Sequence, residues 1–127
     1  GARVVCYELQ PKHAETLRDD SRLIVWQGDF LAFPSDMLRP FEFVLMNPPF
    51  ADGQCQQHVR HAFDFLKSGG RLVSVMPDGL GNTDSKASRE WLKWLEAQDH
   101  EIEDLPDGTF AESGTRVKTC LLTIRSR

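Results

Sequence analysis

The apolar run Phe41-Glu42-Phe43-Val44-Leu45-Met46 stops at Asn47-Pro48-Pro49, and few short segments constrain a chain more. Proline has no N–H to give to a ladder and restricts the residue before it, so a strand that enters this tripeptide cannot continue. A loop must start at Asn47. With Phe50 next in line, that loop carries an amide, two rigid rings and an aromatic side chain in immediate succession.

Strand and helix signals alternate on either side of it. Arg3 to Glu8, with Val4, Val5, Cys6 and Tyr7, reads as a strand, and Pro11 with Ala14 and Leu17 as the helix after it. Leu23 to Trp26 repeats the strand signal and halts at Gly28-Asp29. From Gln54 to Leu66, Val59, Ala62, Phe63 and Leu66 fall at helical spacing; Gly69-Gly70 is expected to end that helix, and Arg71 to Met76 to form a fourth strand. Ser85 is placed to cap a helix reaching Ala97, with Trp91, Leu92, Trp94 and Leu95 as its apolar positions. Ile102 to Leu105 and Val117 to Ile124 predict an antiparallel pair around the turn Pro106-Asp107-Gly108, closing the sheet edge. The pattern predicts an α/β doubly wound sheet in one domain over 1–127, with ligands bound beyond the carboxyl ends of the strands.

Composition narrows the class of protein. Apolar residues make up 40% and charged residues 27%, as in an ordinary globular chain. Cys6, Cys55 and Cys120 are odd in number and far apart, which predicts reduced core residues. No stretch approaches the roughly 18 apolar residues of a membrane span and no signal-peptide pattern opens the chain, so a soluble, cytoplasmic protein is expected. A net charge of −4 argues against broad electrostatic gripping of a nucleic-acid backbone. Arg116, Lys118, Arg125 and Arg127 cluster near the C-terminus, and polar positions on an exposed strand account for them equally well.

The residues with chemical potential fall at strand ends. Glu8 follows the first strand, Asp29-Phe30 the second and Asn47-Pro48-Pro49-Phe50 the third. A carboxylate such as Glu8 can accept hydrogen bonds from ribose hydroxyls, although an acid just ahead of a helix also suits the helix dipole. Asp29 can accept from an exocyclic amine while Phe30 covers a purine face; equally, Gly-Asp is an ordinary turn and Phe30 a core residue. Asn-Pro also starts plain turns. Here, however, the rigid backbone would aim an amide, a proline carbonyl and an aromatic ring into one cleft. Cys55, His58 and His61 sit three apart on a predicted helix. With no fourth ligand at matching spacing, they are read as a solvated helix face rather than a metal site.

Together these residues resemble the class I S-adenosylmethionine-dependent methyltransferases, whose sheet is Rossmann-like, and among them the amino-methyltransferases with a (D/N)PP(F/Y/W) motif. Val4 to Glu8 is similar to the family's strand with its ribose-binding acid, Gly28-Asp29-Phe30 to its adenine-binding turn, and Asn47 to Phe50 to its catalytic motif. Leu66 to Val73 with Met76-Pro77, and Leu105 to Phe110 with Ser113-Gly114-Thr115, look most like the N6-adenine DNA branch. The resemblance implies S-adenosylmethionine as cofactor, bound by Glu8, Asp29, Phe30 and Asn47. It also implies DNA as partner, no metal, and Asn47, Pro48, Pro49 and Phe50 as the catalytic set. Positive charge develops on an aromatic amine as it attacks a methyl group, so acceptors on Asn47 and Pro48 would favour the transition state. Phe50 would stack on a base flipped from the duplex. Methyltransferases of ribosomal RNA guanine N2 and of protein glutamine share similar motifs, and a degenerate, non-catalytic module is a further alternative.

One departure stands out. In the family a strand and glycine-rich loop precede the acid, by analogy about 20 residues upstream, whereas seven residues precede Glu8. The expectation is a partial domain with its first, central strand missing. A slot of unpaired backbone would lie between the strands ending at Glu8 and Met46, activity alone would be weak or absent, and an oligomer could fill the gap.

Overall fold

The computed structural model describes residues 4–8, 10–21, 23–34, 41–106 and 118–127. Contacts divide the chain into two units, Gly1–Met37 and Leu38–Arg127.

In the first unit, β1 (Val4–Glu8) and β2 (Leu23–Gln27) run parallel, in register from Val4 opposite Leu23 to Glu8 opposite Gln27. The connection is α1 (Pro11–Arg18), with Pro11 at a first position where a missing N–H costs nothing. Ala14 is its buried residue. Among the described residues, β1 pairs with β2.

The second unit is a mixed sheet in the order β3-β4-β6-β5, where β3 is Phe41–Met46, β4 Leu66–Pro77, β5 Asp99–Asp104 and β6 Thr119–Arg125. β3 is parallel to β4, while β6 is antiparallel to both β4 and β5. The expected terminal antiparallel pair is therefore present, with the Asp107-Gly108 part of its turn, and Val117, outside the described residues. Between the strands come α2 (Gln54–Phe63) and α3 (Lys86–Glu96). No described helix is long and apolar enough to cross a membrane.

Period-two alternation builds the core. Leu72, Ser74 and Met76 of β4 lie directly opposite Ile124, Leu122 and Cys120 of β6, and all six are buried. α2 packs on β4, and its Cys55, Val59 and Ala62, at helical spacing, are fully buried. α3 contributes Trp91 and Leu95, and joins α2 where Trp94 meets Phe63 edge-on at 5.4 Å. Phe43 and Leu45 on β3 remain 64% and 79% exposed, and among the described residues β3 pairs with β4 alone.

Several elements differ from their expected bounds. α2 ends at Phe63, capped at Asp64, well before Gly69-Gly70. Those glycines lie inside β4, where pairing jumps from Phe41–Leu66 to Phe43–Arg71. The extra residues bulge out, and Gly70 is needed because a Cβ there would stand 2.9 Å from the Lys67 carbonyl oxygen and 3.1 Å from those of Phe41 and Glu42. β5 begins at Asp99 rather than Ile102, and β6 runs on to Arg125 rather than Ile124. An edge strand needs no continuous apolar run; Arg125 holds this one through Asp99 at 3.8 Å and Glu101 at 3.4 Å.

Replacing Gly70→Ala should lower stability by about 1–3 kcal/mol in urea denaturation, because backbone oxygens cannot retreat as a side chain would. Burial pushes the thiols of Cys55 and Cys120 above their ordinary range, Cys120 also through Asp104 and Asp78. The thiolate is the reactive form, so at mildly alkaline pH iodoacetamide should leave both unmodified by mass spectrometry until denaturant is added.

Candidate active site

β3 and β4 are parallel, with Met46 opposite Ser74, so the loops after them leave from the same end of the sheet. The first runs from Asn47 to Gly53. Pro48 is buried and anchors it, Asn47 and Pro49 are exposed, and Phe50 is half-buried. Asp52 and Gly53 then take left-handed conformations, φ 55° and 71°, to turn the chain into α2. The motif's amide thus reaches solvent from a fixed backbone at the carboxyl end of a parallel strand, where ligands bind in such sheets.

The second loop is more strained. Gly79, Leu80 and Gly81 are consecutively left-handed at φ 70°, 60° and 70°, and a leucine in that region is a true outlier. Strain of this kind persists only where surrounding contacts dictate it, and Gln56 supplies them. Its Nε2 lies 3.2 Å from the carbonyl oxygens of Leu80 and Gly81 and from Ser88 Oγ. Ser88 Oγ also accepts from Thr83 N, and Ser88 N donates to the capping hydroxyl of Ser85. Ser85 is therefore the cap of α3, as its sequence predicts. Gly81 admits no side chain: besides its positive φ, a Cβ would meet Cys55 Sγ at 3.2 Å.

A cavity of about 500 Å³ opens beside this clamp, with Phe50, Gln56, Gln57, Arg60, Ser88 and Trp91 in its wall. Gln56 and the turn at 79–81 are the residues that sequence reasoning missed. Glutamine in a helix gives no signal by itself, and only the left-handed turn that it holds reveals its role.

In the first unit, Glu8 ends β1 beside Gln27 of β2, so Glu8 and Asp29-Phe30 belong to one rim of that sheet; the Glu8 side chain lies outside the described residues. Asp29 is exposed and caps the short 3-10 turn Phe30–Ala32, with Oδ1 accepting from Leu31 N at 3.0 Å. Phe30 is half-buried. Gly28-Asp29 is thus a turn, as one of its two readings expects, with an exposed carboxylate.

The Cys55, His58 and His61 series is not a solvated face. Cys55 is fully buried and the histidines half-buried, His61 packing edge-on against Phe65 at 5.2 Å. The helix turns that side toward β4, which spacing alone could not show. Among the described residues no three His, Cys, Asp or Glu side chains converge as metal ligands would. Arg125 of the C-terminal basic group is engaged with Asp99 and Glu101, and Arg116 lies outside the described residues.

No protein-family model and no curated protein matches the chain; the likeness is one of structure. An O-methyltransferase from Bacillus cereus in complex with SAH superposes with a TM-score of 0.71 at 14% identity, over 99% of this chain and 64% of that one. A chain of a type I restriction–modification system gives 0.77 at 22%, covering 96% and 30%. The EcoKI M protein of a type I restriction enzyme gives 0.69 at 20%, covering 97% and 31%. The α/β fold is thus that of the methyltransferases, and the chain spans between 30% and 64% of the length of these structures.

Exchanging Gln56→Leu leaves the Leu80 and Gly81 carbonyls without their donor and should cost about 2–3 kcal/mol. A loss below ~0.5 kcal/mol in chemical denaturation, within the range of an ordinary surface change, would mean that the strained turn stands without the clamp.

Proposed function

We propose that this chain is part of an S-adenosylmethionine-dependent methyltransferase acting on an exocyclic amine, adenine N6 in DNA being the substrate its motif fits best. The observation that carries the reading is the Asn47–Phe50 loop: an exposed amide after a parallel strand, pinned by buried Pro48 and followed by a half-buried aromatic ring.

The first unit fits the cofactor in its chemistry. Asp29 Oδ1 is engaged with Leu31 N, which leaves Oδ2 to accept from an adenine amine, with Phe30 beside it to cover the ring. Glu8, at the end of β1, would take the ribose hydroxyls. When bound, the cofactor supplies an electrophilic methyl group on a sulfonium.

In the second unit, Asn47 Oδ1 and the Pro48 carbonyl would accept from the two hydrogens of the target amine. That aligns its lone pair and opposes the positive charge that grows on nitrogen during attack. Pro48 and Pro49 keep both acceptors in place without reorganisation, and Phe50 would hold the base by stacking. The structural likeness to restriction–modification proteins supports DNA as the partner.

The test is calorimetric titration with S-adenosylmethionine, followed by transfer of a labelled methyl group to DNA, RNA and protein. Saturable binding and label in DNA adenine are expected, with transfer falling about a hundredfold in Asn47→Ala, the scale on which one preorganised polar group acts. Label in RNA or protein alone would redirect the reading to guanine N2 or glutamine, and the absence of binding and transfer would leave the degenerate, non-catalytic module.

A further inference from the structure

The sheet of the second unit has two unlike faces. Leu72, Ser74 and Met76 of β4, with Leu122 and Ile124 of β6, are fully buried on the face where α2 packs. Successive residues of a strand point to opposite faces, so the residues between them make up the other one. There the register sets Phe43 beside Arg71 and Leu45 beside Val73, then Val73 opposite Thr123 and Val75 opposite Leu121. Phe43 is 64% and Leu45 79% exposed, and Val73, Val75 and Leu121 are only half-buried. Apolar side chains of three neighbouring strands thus form one open patch, whereas ordinary surface scatters such residues singly.

β5 gives the patch a charged flank. In the strand order β3-β4-β6-β5, Asp99, Glu101 and Glu103 stand opposite Arg125, Thr123 and Leu121 on this same face, and all three acids are exposed. Arg125 reaches Asp99 at 3.8 Å and Glu101 at 3.4 Å, while Glu103 faces Leu121. The flank is therefore acidic, most of all toward Glu103.

The dimensions select the occupant. Neighbouring strands lie ~4.8 Å apart, so the step from β3 to β6 spans about 10 Å, the width of a single α-helix. β5, one strand further, is within reach of a lysine or arginine extending from the side of that helix. A second copy of this chain would bring the same acids to the contact, and like charges brought together oppose association.

We propose that this face seats one amphipathic helix of a partner protein, its apolar stripe lying along β4 and its lysines or arginines set against Glu101 and Glu103. The stripe reads as apolar residues at i, i+4 and i+7 of the partner. None of the residues on this face belongs to the amine or cofactor sites, so the proposal stands apart from the methyl-transfer reading.

Its test is fluorescence anisotropy with a fluorescein-labelled, lactam-stapled helical peptide of about 15 residues, long enough at ~1.5 Å per residue to run the length of the patch. The peptide carries leucines at i, i+4, i+7 and i+11 and lysines along one flank; a control carries glutamates in place of the lysines. The lysine peptide should bind the unaltered chain about tenfold more tightly than the control at low salt, and the difference should shrink as salt is added. Leu45→Glu, at a position already open to solvent, should weaken the lysine peptide more than about tenfold with an unchanged circular dichroism spectrum. Glu103→Lys should narrow the preference between the two peptides. Equal binding of both peptides, or binding of neither, overturns the proposal, as does lysine-peptide binding that survives Leu45→Glu. A dimer in sedimentation that Leu45→Glu dissolves would assign the face to a second copy instead. The two peptides decide the matter on the unaltered chain, whatever the variants do to folding.

Discussion

Gln56 donates from the first turn of α2 to Leu80 O, Gly81 O and Ser88 Oγ, and so ties together the pieces that follow the two parallel strands of the second unit. Leu80 could not hold φ 60° without an interaction that rewards it, and Gly81 sits against Cys55 Sγ and Pro77 only because the turn has that shape. Ser88 passes the restraint to Thr83 and the cap of α3. One buried amide thus sets the spacing of two helices and the loop between them. Such networks stabilise only when every member is satisfied, and among the described residues the buried indole nitrogen of Trp91 stands out as lacking a partner.

The sheet beneath is built unevenly. Its β4–β6 pair is buried on one face by Leu72, Met76, Leu122 and Ile124, whereas β3, which among the described residues pairs with β4 alone, has Phe43 and Leu45 exposed. Parallel strands are ordinarily covered on both faces.

Several charges are engaged within the chain. Lys67 pairs with Glu42 at 2.9 Å and holds that carboxyl below its ordinary range; Arg125 serves Asp99 and Glu101; Arg60 lies over the Trp94 ring, 5.3 Å from its centre. With a net charge of −4, attraction to phosphates is a weak basis for recognition.

Sequence alone determined the strand that stops at Asn47, the turn at Gly28-Asp29, the cap at Ser85, the α3 core positions and the terminal antiparallel pair, because each follows from local chemistry: a missing N–H, a glycine beside an aspartate, a hydroxyl at a helix start, a two- or four-residue period. It misplaced the end of α2 and the role of Gly69-Gly70, since a bulge is defined by the partner strand and not by the residues that form it. It read Cys55, His58 and His61 as solvated because helical spacing says which residues share a side, not what that side faces. Only the tertiary structure showed that Gln56 holds the turn at 79–81. The carbonyls it serves come from residues more than 20 positions away, in a conformation that exists only once both loops have been brought to the same end of the sheet.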